Sequence, residues 1–506
     1  MRRFILGALS LALAVSALGT LGSPAAASDP TEDSAATAAL ETAQAILSSA
    51  PLARGAKPTV RLGADASLAL ADLVRVLDRL TPTQRKQAQQ LLARPDGSGN
   101  GTADDAVAWG TSQTSVLCAT HVCVHYVLPG VNQHAPDDVA WVQSTLDEME
   151  AVYAQEVTTM GYRAPAPDGT VGGDSRFDVY LANLGPLGLY GYCAPEAGLA
   201  GQINRYTAYC VLDDDYTGFP LGPFPSLQVT AAHEFFHAIQ FNYDTFEDRW
   251  LMEATATWME ERYADAVDDN RQYIKYGQTR KPGIPLDTFD GLTHYGNWTF
   301  FEKLSQNYGI DSVRVLWAKM DGTRGAVDQS SIQALKNYLA AHGTTFQKFY
   351  GRFAAGNLDP ARSFSEGAAY PAAPWAGSYR FKASRKTIRF STKLKHLTSK
   401  SYRINSKVAG THKAKISIDG PAAKTGPAVV VSIYKSNGSI TRKLVKLNGS
   451  GDGSVRVNFS RPDIKRLTIT LANASTRYNC GQFTSFACMG VPRDNGTKFA
   501  VTAKLL

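Results

Sequence analysis

The sequence predicts an α+β body followed by an all-β sandwich, and three observations carry that prediction. Between about residues 110 and 365, strand-like segments come first and helical patterns after, the order of an α+β chain. Beyond the Pro/Ala-rich "AAYPAAPWAGS" near 368–378, short alternating segments sit between Gly, Asn, Pro and Asp turns, the pattern of a sandwich. The charge changes at the same place. From Trp375 onward there are 25 lysines and arginines against four aspartates and no glutamate, a net +21 in a chain whose total is +7. With 506 residues the chain is too long for one compact core. Its 44% apolar and 19% charged residues are those of a globular protein and argue against global disorder.

Taken in order, "MRRFILGALSLALAVSALGTLGSPAAAS" has a basic start, an apolar run and the small-residue site Ala25-Ala26-Ala27, which predicts a signal peptide over residues 1–27. A membrane anchor is the competing reading, but the run is short and ends in a cleavage-type sequence. No other stretch is apolar enough to span a bilayer, so a secreted protein without a transmembrane segment is expected. Residues 28–108 form a helical N-terminal segment, either a pro-region or a plain extension. In it "DASLALADLVRVLDRLTPTQRKQAQQLLARP" reads as two helices broken at Thr81-Pro82, with Thr81 capping the second. In the body, 109–368, "VCVHYVL" and "SRFDVYLANL" read as strands, and "PDDVAWVQSTLDEMEAVYAQEV" reads as a helix starting at Pro136 and Asp137. The basic sandwich domain spans 375–506, with strands in "KTIRFSTKL", "AVVVSIYKS", "SVRVNFS" and "RLTITLANA".

The six cysteines fall in close pairs: Cys118 with Cys123, Cys193 with Cys210, and Cys480 with Cys488. Six cysteines allow 15 connectivities, and neighbour pairing is the economical one. Zinc-ribbon ligation lacks any C-x-x-C, so disulfides in an oxidising compartment are expected.

The chemistry concentrates in "TAAHEFFHAIQFNY". Ser226 is placed to cap a helix beginning near Leu227. On that helix His233 and His237, at i and i+4, project from one face as two imidazoles must to share a metal ion. Glu234 is rotated about 100° from His233 and can reach a metal-bound water without being a ligand. The plainer reading is a core helix whose histidines only hydrogen-bond. A zinc site with two histidines needs a third protein ligand. Gln240 and Tyr243 stand where a Gly and a third His would be needed, and Asp244 is one residue late for an Asp ligand. A glutamate on the next helix remains: Glu253 in "RWLMEATATWMEERY", 16 residues after His237.

"HEFFH" followed by "WLMEATATW" resembles the gluzincin zinc peptidases, whose pattern is H-E-x-x-H and then W-L-x-E-G-x-A. Within that group it is similar to an uncharacterised family of secreted bacterial metalloprotease-like proteins, over roughly residues 75–360. Ala254 departs from the usual Gly. The resemblance implies a zincin-like domain holding one catalytic zinc through His233, His237 and Glu253, with Glu234 as general base in peptide-bond hydrolysis. It implies an oxyanion donor after the second motif, matched by Tyr295 in "THYGNWTFFEKL" with His294 as the adjacent alternative. It also implies that the "DVYL" strand is the edge that pairs with extended substrate. The aminopeptidase signature G-x-M-E-N is absent, which favours an endopeptidase acting on protein or peptide substrates.

Thr257 and Glu260 share the helix face of Glu253. Either can orient a ligand histidine, but exposed charge is the commoner reading of Glu260. Asp213–Asp215 in "LDDDY" invite calcium, yet lack the EF-hand spacing and read as a solvated loop. Two other functions compete with hydrolysis: a non-catalytic surface-binding protein, and a protein centred on the basic sandwich as a ligand for anionic wall polymer, lipid headgroup or nucleic acid. A net +21 attracts any polyanion. No stacked-aromatic pattern specifies nucleic acid, so an anionic cell-surface polymer is the expected partner of that domain.

Overall fold

The computed structural model describes residues 30–47, 65–99, 106–460 and 463–506; the expected signal peptide lies outside the described residues. The molecule is mixed α+β, with several sheets and ten α-helices among those residues. Its first sheet has strands β1 (Thr114–Cys118), β2 (Val122–Val127), β3 (Phe177–Ala182), β4 (Gly191–Gly198) and β5 (Tyr206–Asp213), in the order β1-β2-β3-β5-β4. The central pairs β2–β3 and β3–β5 are parallel, whereas β1 and β4 run antiparallel at the two edges. The expectation that "DVYL" is an edge strand is therefore wrong. It is β3, in the middle of the sheet and buried on both faces, with its one charged residue, Asp178, paired to Arg94 and His125. The edge beside the histidine helix is β4, "GYCAPEAG", whose Gly and Pro hide it from an alternation test.

The sheet separates two cores. Phe177, Val179 and Leu181 point into one, shared with α4 (Val139–Tyr153), α5 (Pro223–Asp244) and α6 (Arg249–Tyr263). Tyr180, Ala182, Tyr192 and Tyr209 point into the other, shared with α1 (Pro30–Leu47), α2 (Ala66–Val76) and α3 (Pro82–Leu91). The N-terminal helices thus form the third layer of an α/β/α stack. Thr81 caps α3 in a reciprocal box with Gln84, as its position before Pro82 predicts. Arg94, fully buried, ties this layer down through Asp168 at 2.5 Å, Asp178 at 2.5 Å and Glu196 at 2.8 Å. Helix α4 begins at Val139, three residues after the expected start at Pro136, and is capped by Asp138, whose carboxylate accepts from Trp141 N.

Helices α7 (Trp298–Tyr308), α8 (Ser312–Trp317), α9 (Ser331–Ala341) and α10 (Phe346–Gly356) complete the body. The sandwich follows. One sheet joins β6 (Gly377–Phe381), β8 (Thr398–Ser406), β10 (Pro427–Lys435), β11 (Ile440–Leu444) and β13 (Ile464–Asn473). The other joins β7 (Thr387–Leu394), β9 (Lys413–Asp419), β12 (Asp452–Asn458) and β16 (Thr497–Leu505). Ile416, Ile418 and Val501 from one sheet meet Val429, Val431 and Ile469 from the other in a single core. The outer face of the first sheet is also apolar: Ala428 and Ala472 pack into the same core as α5 and α10. A short ribbon of β14 (Tyr478–Asn479) and β15 (Val491–Pro492) docks there too. Tyr478 Oη and Ala487 N donate to Asp287 Oδ2 at 2.9 and 3.1 Å, and Cys488 N donates to Asp248 at 2.5 Å.

All six cysteines pair with their neighbours: Cys118–Cys123, Cys193–Cys210 and Cys480–Cys488. The first two link residues directly opposite each other in the β1–β2 and β4–β5 ladders. Among the described residues, no helix is long and apolar enough to cross a membrane.

Candidate metal centre

Helix α5 starts at Pro223, four residues before the predicted start. Gly222, with φ of 80°, precedes it, and Pro223 occupies the first turn where its missing N–H costs nothing. Ser226 is therefore not a cap; it lies inside the helix, its hydroxyl buried. The chain reverses over Thr245–Asp248, held by Thr245 Oγ1 on Phe241 O and by Phe246 N on Asp244 Oδ1. Helix α6 then returns alongside α5, which brings Glu253 back to the histidines across the 16-residue interval.

The two imidazole Nε2 atoms lie 3.2 Å apart. Glu253 approaches His237 Nε2 through Oε1 at 3.1 Å and His233 Nε2 through Oε2 at 3.4 Å. A tetrahedral ion with bonds of about 2.0–2.1 Å has donor–donor edges of about 3.3–3.4 Å, close to the spacing of the two Nε2 atoms and to their distances from the two carboxylate oxygens of Glu253. Glu253 is fully buried, and neither of its oxygens accepts a hydrogen bond. A buried carboxylate without donors is costly unless a cation compensates it. The donor set and the orphaned carboxylate both suit zinc.

Each histidine is oriented through its other nitrogen. His233 Nδ1 meets Glu260 Oε1 at 2.7 Å, and His237 Nδ1 meets Gln240 Oε1 at 2.8 Å, leaving Nε2 of both rings aimed at the common point. Glu260 is buried, contrary to the exposed-charge reading, because the i+7 position on α6 faces α5. Gln240, which enters the sequence argument only as a failed glycine position, also donates to Met252 O and Thr255 Oγ1 and so clamps the two helices. Thr257 is buried and its hydroxyl has no partner. Burial opposes charge on His233, but the Glu253 and Glu260 carboxylates outweigh it and hold the imidazole well above its ordinary value. Burial pushes Glu260 up to about 7 against the pull of His233. For Glu253, burial is outweighed by His237 and His233, which keep its carboxyl well below the usual range.

Glu234 stands beside this cluster, outside the ligand set, and accepts a 2.8 Å hydrogen bond from Ser67 Oγ of α2. Tyr295 lies in a short turn before α7, its ring stacked 6.0 Å from that of His233 and 5.1 Å from that of Tyr273. Burial, then the charges of Glu253, Asp65 and Glu234, raise its hydroxyl well above the ordinary 10, so it remains a donor. His294 is buried with no partner on either ring nitrogen, and burial lowers it to about 4, so it is neutral. It forms a second cluster with Asp65 and Glu253, the ligand atoms of all three within 4.8 Å. The turn bearing both residues is pinned where the backbones of Gly277 and Gly296 cross, with no room for a Cβ on either.

Asp213–Asp215 also bring carboxylates together, but Asp213 and Asp214 are buried rather than solvated. Asp213 spends its oxygens on the backbone N–H groups of Leu184, Gly185 and Tyr216, so the cluster clasps a loop, and nothing there specifies calcium. Asp65, Ser67 and Gln240 had no signature in the sequence.

No curated protein matches the chain. Similar solved structures include the pre-peptidase C-terminal domain of a Bacillus anthracis collagenase, with 11% identity, 26% of this chain and 97% of that one covered, and a TM-score of 0.17. A mutant periplasmic inhibitor of g-type lysozyme from Escherichia coli covers 26% of this chain and 98% of its own at 12% identity, with a TM-score of 0.14. The Aeromonas hydrophila inhibitor covers 26% and 96% at 9% identity, with a TM-score of 0.15. Residues 97–432 match a family described as of unknown function, a span from the end of the N-terminal layer into β10, and the chain belongs to that family, DUF6055.

Proposed function

We propose that the chain is a secreted zinc-dependent endopeptidase with a zincin-like site. The observation that carries this reading is the His233/His237/Glu253 cluster, with donor atoms 3.1–3.4 Å apart, set next to Glu234, a glutamate outside the ligand set. His233, His237 and Glu253 would hold the ion. Zinc, when bound, supplies Lewis acidity to the scissile carbonyl and lowers the pKa of a water. Glu234 moves one proton, from the attacking water to the leaving nitrogen. Tyr295, with His294 beside it, donates to the oxygen on which negative charge develops. The position of β4 as the last strand of the sheet among the described residues supports the reading by offering backbone groups, Cys193 N engaged by Ser67 Oγ among them, to an extended peptide. The disulfides fit an oxidising compartment. In the test, Glu234→Gln keeps its zinc while casein hydrolysis falls about 10²–10⁴-fold; undiminished hydrolysis overturns the reading.

The sandwich supplies a partner surface. On the outer face of its second sheet, Arg456, Lys415 and Lys504 stand abreast on three neighbouring strands, next to a row of Ser454, Ser417, Thr502 and Arg389. A flat cationic and hydroxylated face suits an anionic cell-surface polymer, with no preference for nucleic acid. Charge reversal at Lys415, Arg456 and Lys504 lowers salt-dependent retention on an anionic matrix; unchanged retention removes this partner.

A further inference from the structure

Where the body meets the sandwich, a cavity of about 600 Å³ opens, a size that takes a small ligand. Lys275, Arg280 and Lys281 line it from the loop between α6 and α7, and Lys400 lines it from β8. The chain before Trp375 is net acidic, so this run of cations is a local exception. Among the described residues, none of the four is paired with a carboxylate. Lys275 and Lys281 both lie over the Tyr276 ring, 5.0 and 5.1 Å from its centroid. Like charges gathered in a cleft without a counter-charge raise the local concentration of anions.

Trp375 lines the same cavity and is half-buried. Arg403 of β8 and Arg466 of β13 hold its indole from the sheet, each guanidinium 5.8 Å from a ring centroid of Trp375. The two sides of the cavity are tied together. Ser399 N donates to Pro282 O at 2.8 Å, and Ala376 N donates to Ser401 O at 2.8 Å. The site is thus preformed, and a ligand need not order it. Cations alone suit any anion. The rings of Tyr276 and Trp375, with Pro282 and Pro374, add apolar surface that a bare phosphate or a flexible acidic side chain leaves uncovered. A sugar ring bearing a carboxylate uses both: its C–H face covers an aromatic ring while its acid group meets the cations.

We propose that this cavity binds an acidic saccharide, a chain of sugar rings carrying carboxylates. It is separate from the flat cationic face around Lys415 and does not depend on the peptidase reading. The test is calorimetric titration of the full-length protein, at physiological salt, with trigalacturonate, its neutral methyl ester, hexaglutamate and inorganic phosphate. Trigalacturonate is expected to bind at least about tenfold more tightly than the other three. Reversing two charges, in Arg280→Glu with Lys281→Glu, lowers that affinity at least about tenfold. Trp375→Ala lowers it about tenfold through lost apolar contact, and Lys415→Glu leaves it unchanged. Arg280 and Lys281 are exposed, so their variant decides even where Trp375→Ala fails to fold. Ester or hexaglutamate bound as tightly as trigalacturonate overturns the acidic-saccharide assignment. Wild type that does not bind trigalacturonate, or unchanged affinity in the double charge reversal, overturns the site. An equal loss in Lys415→Glu marks bulk charge attraction and overturns it too.

Discussion

Glu260 and Gln240 orient the two histidines proposed as metal ligands. Each accepts a hydrogen bond from an Nδ1 and so fixes both the tautomer and the direction of Nε2. Replacing Glu260 by Ala is expected to weaken zinc binding about 10–100-fold in a chelator competition, with His233 still present; unchanged affinity would show that the bond does not orient the ring. At the same scale, His134 is buried and lowered to about 4 from the ordinary 6.5 by burial. Its folded value lies below its unfolded value, so the stability it contributes is complete above pH 6.5 and is lost as the pH falls toward 4. The loss is on the order of 3 kcal/mol. Urea melts of His134→Asn between pH 4 and 7 should show a shallower pH slope than wild type, and equal slopes would contradict this. These two residues also mark the limit of sequence reading. His233, Glu234 and His237 were legible because a helix brings i and i+4 together by itself. Glu260 was ambiguous because exposure is not encoded in spacing. Asp65 and Ser67 were invisible because their partners are set by tertiary packing.

Among the elements, the pairing of α5 with α6 was readable from a metal-site requirement, and the sandwich strands from their alternation. β4 was not, since "GYCAPEAG" has no period, and the edge role fell wrongly to β3, whose Asp178 breaks the apolar run that marks a central strand. The turn carrying His294 and Tyr295 depends on the crossing of Gly277 and Gly296. A Cβ at Gly296 would run into the Tyr273 carbonyl and the Gly277 backbone. Gly296→Ala should therefore lower casein hydrolysis by at least about tenfold, by displacing an oxyanion donor, with zinc content retained. Full activity in this variant would remove the turn from the site.

Over the whole molecule, the change in composition near residue 370 marks a change of fold, not a hinge. Leu397, Ala428, Ala472 and Ala474 belong to the same core as α5 and α6, and Asp287 ties His396 and Tyr478 to the body. The matched family span likewise runs through that junction. Truncation after residue 370 would expose this apolar face, and the shortened chain should aggregate or melt well below the full protein in calorimetry. A soluble fragment with an unchanged melting temperature would show the sandwich to be independent. The N-terminal layer is integral in the same sense, covering Tyr180, Tyr192 and Tyr209 of the sheet.

The central claim is that His233, His237 and Glu253 hold one zinc ion while Glu234 does not. Elemental analysis of full-length protein, stripped and reloaded with zinc, tests it most directly. The expected content is about one zinc per chain in wild type and Glu234→Gln, and far less in Glu253→Ala. Zinc-free wild type, or Glu253→Ala that retains the full complement, would contradict it.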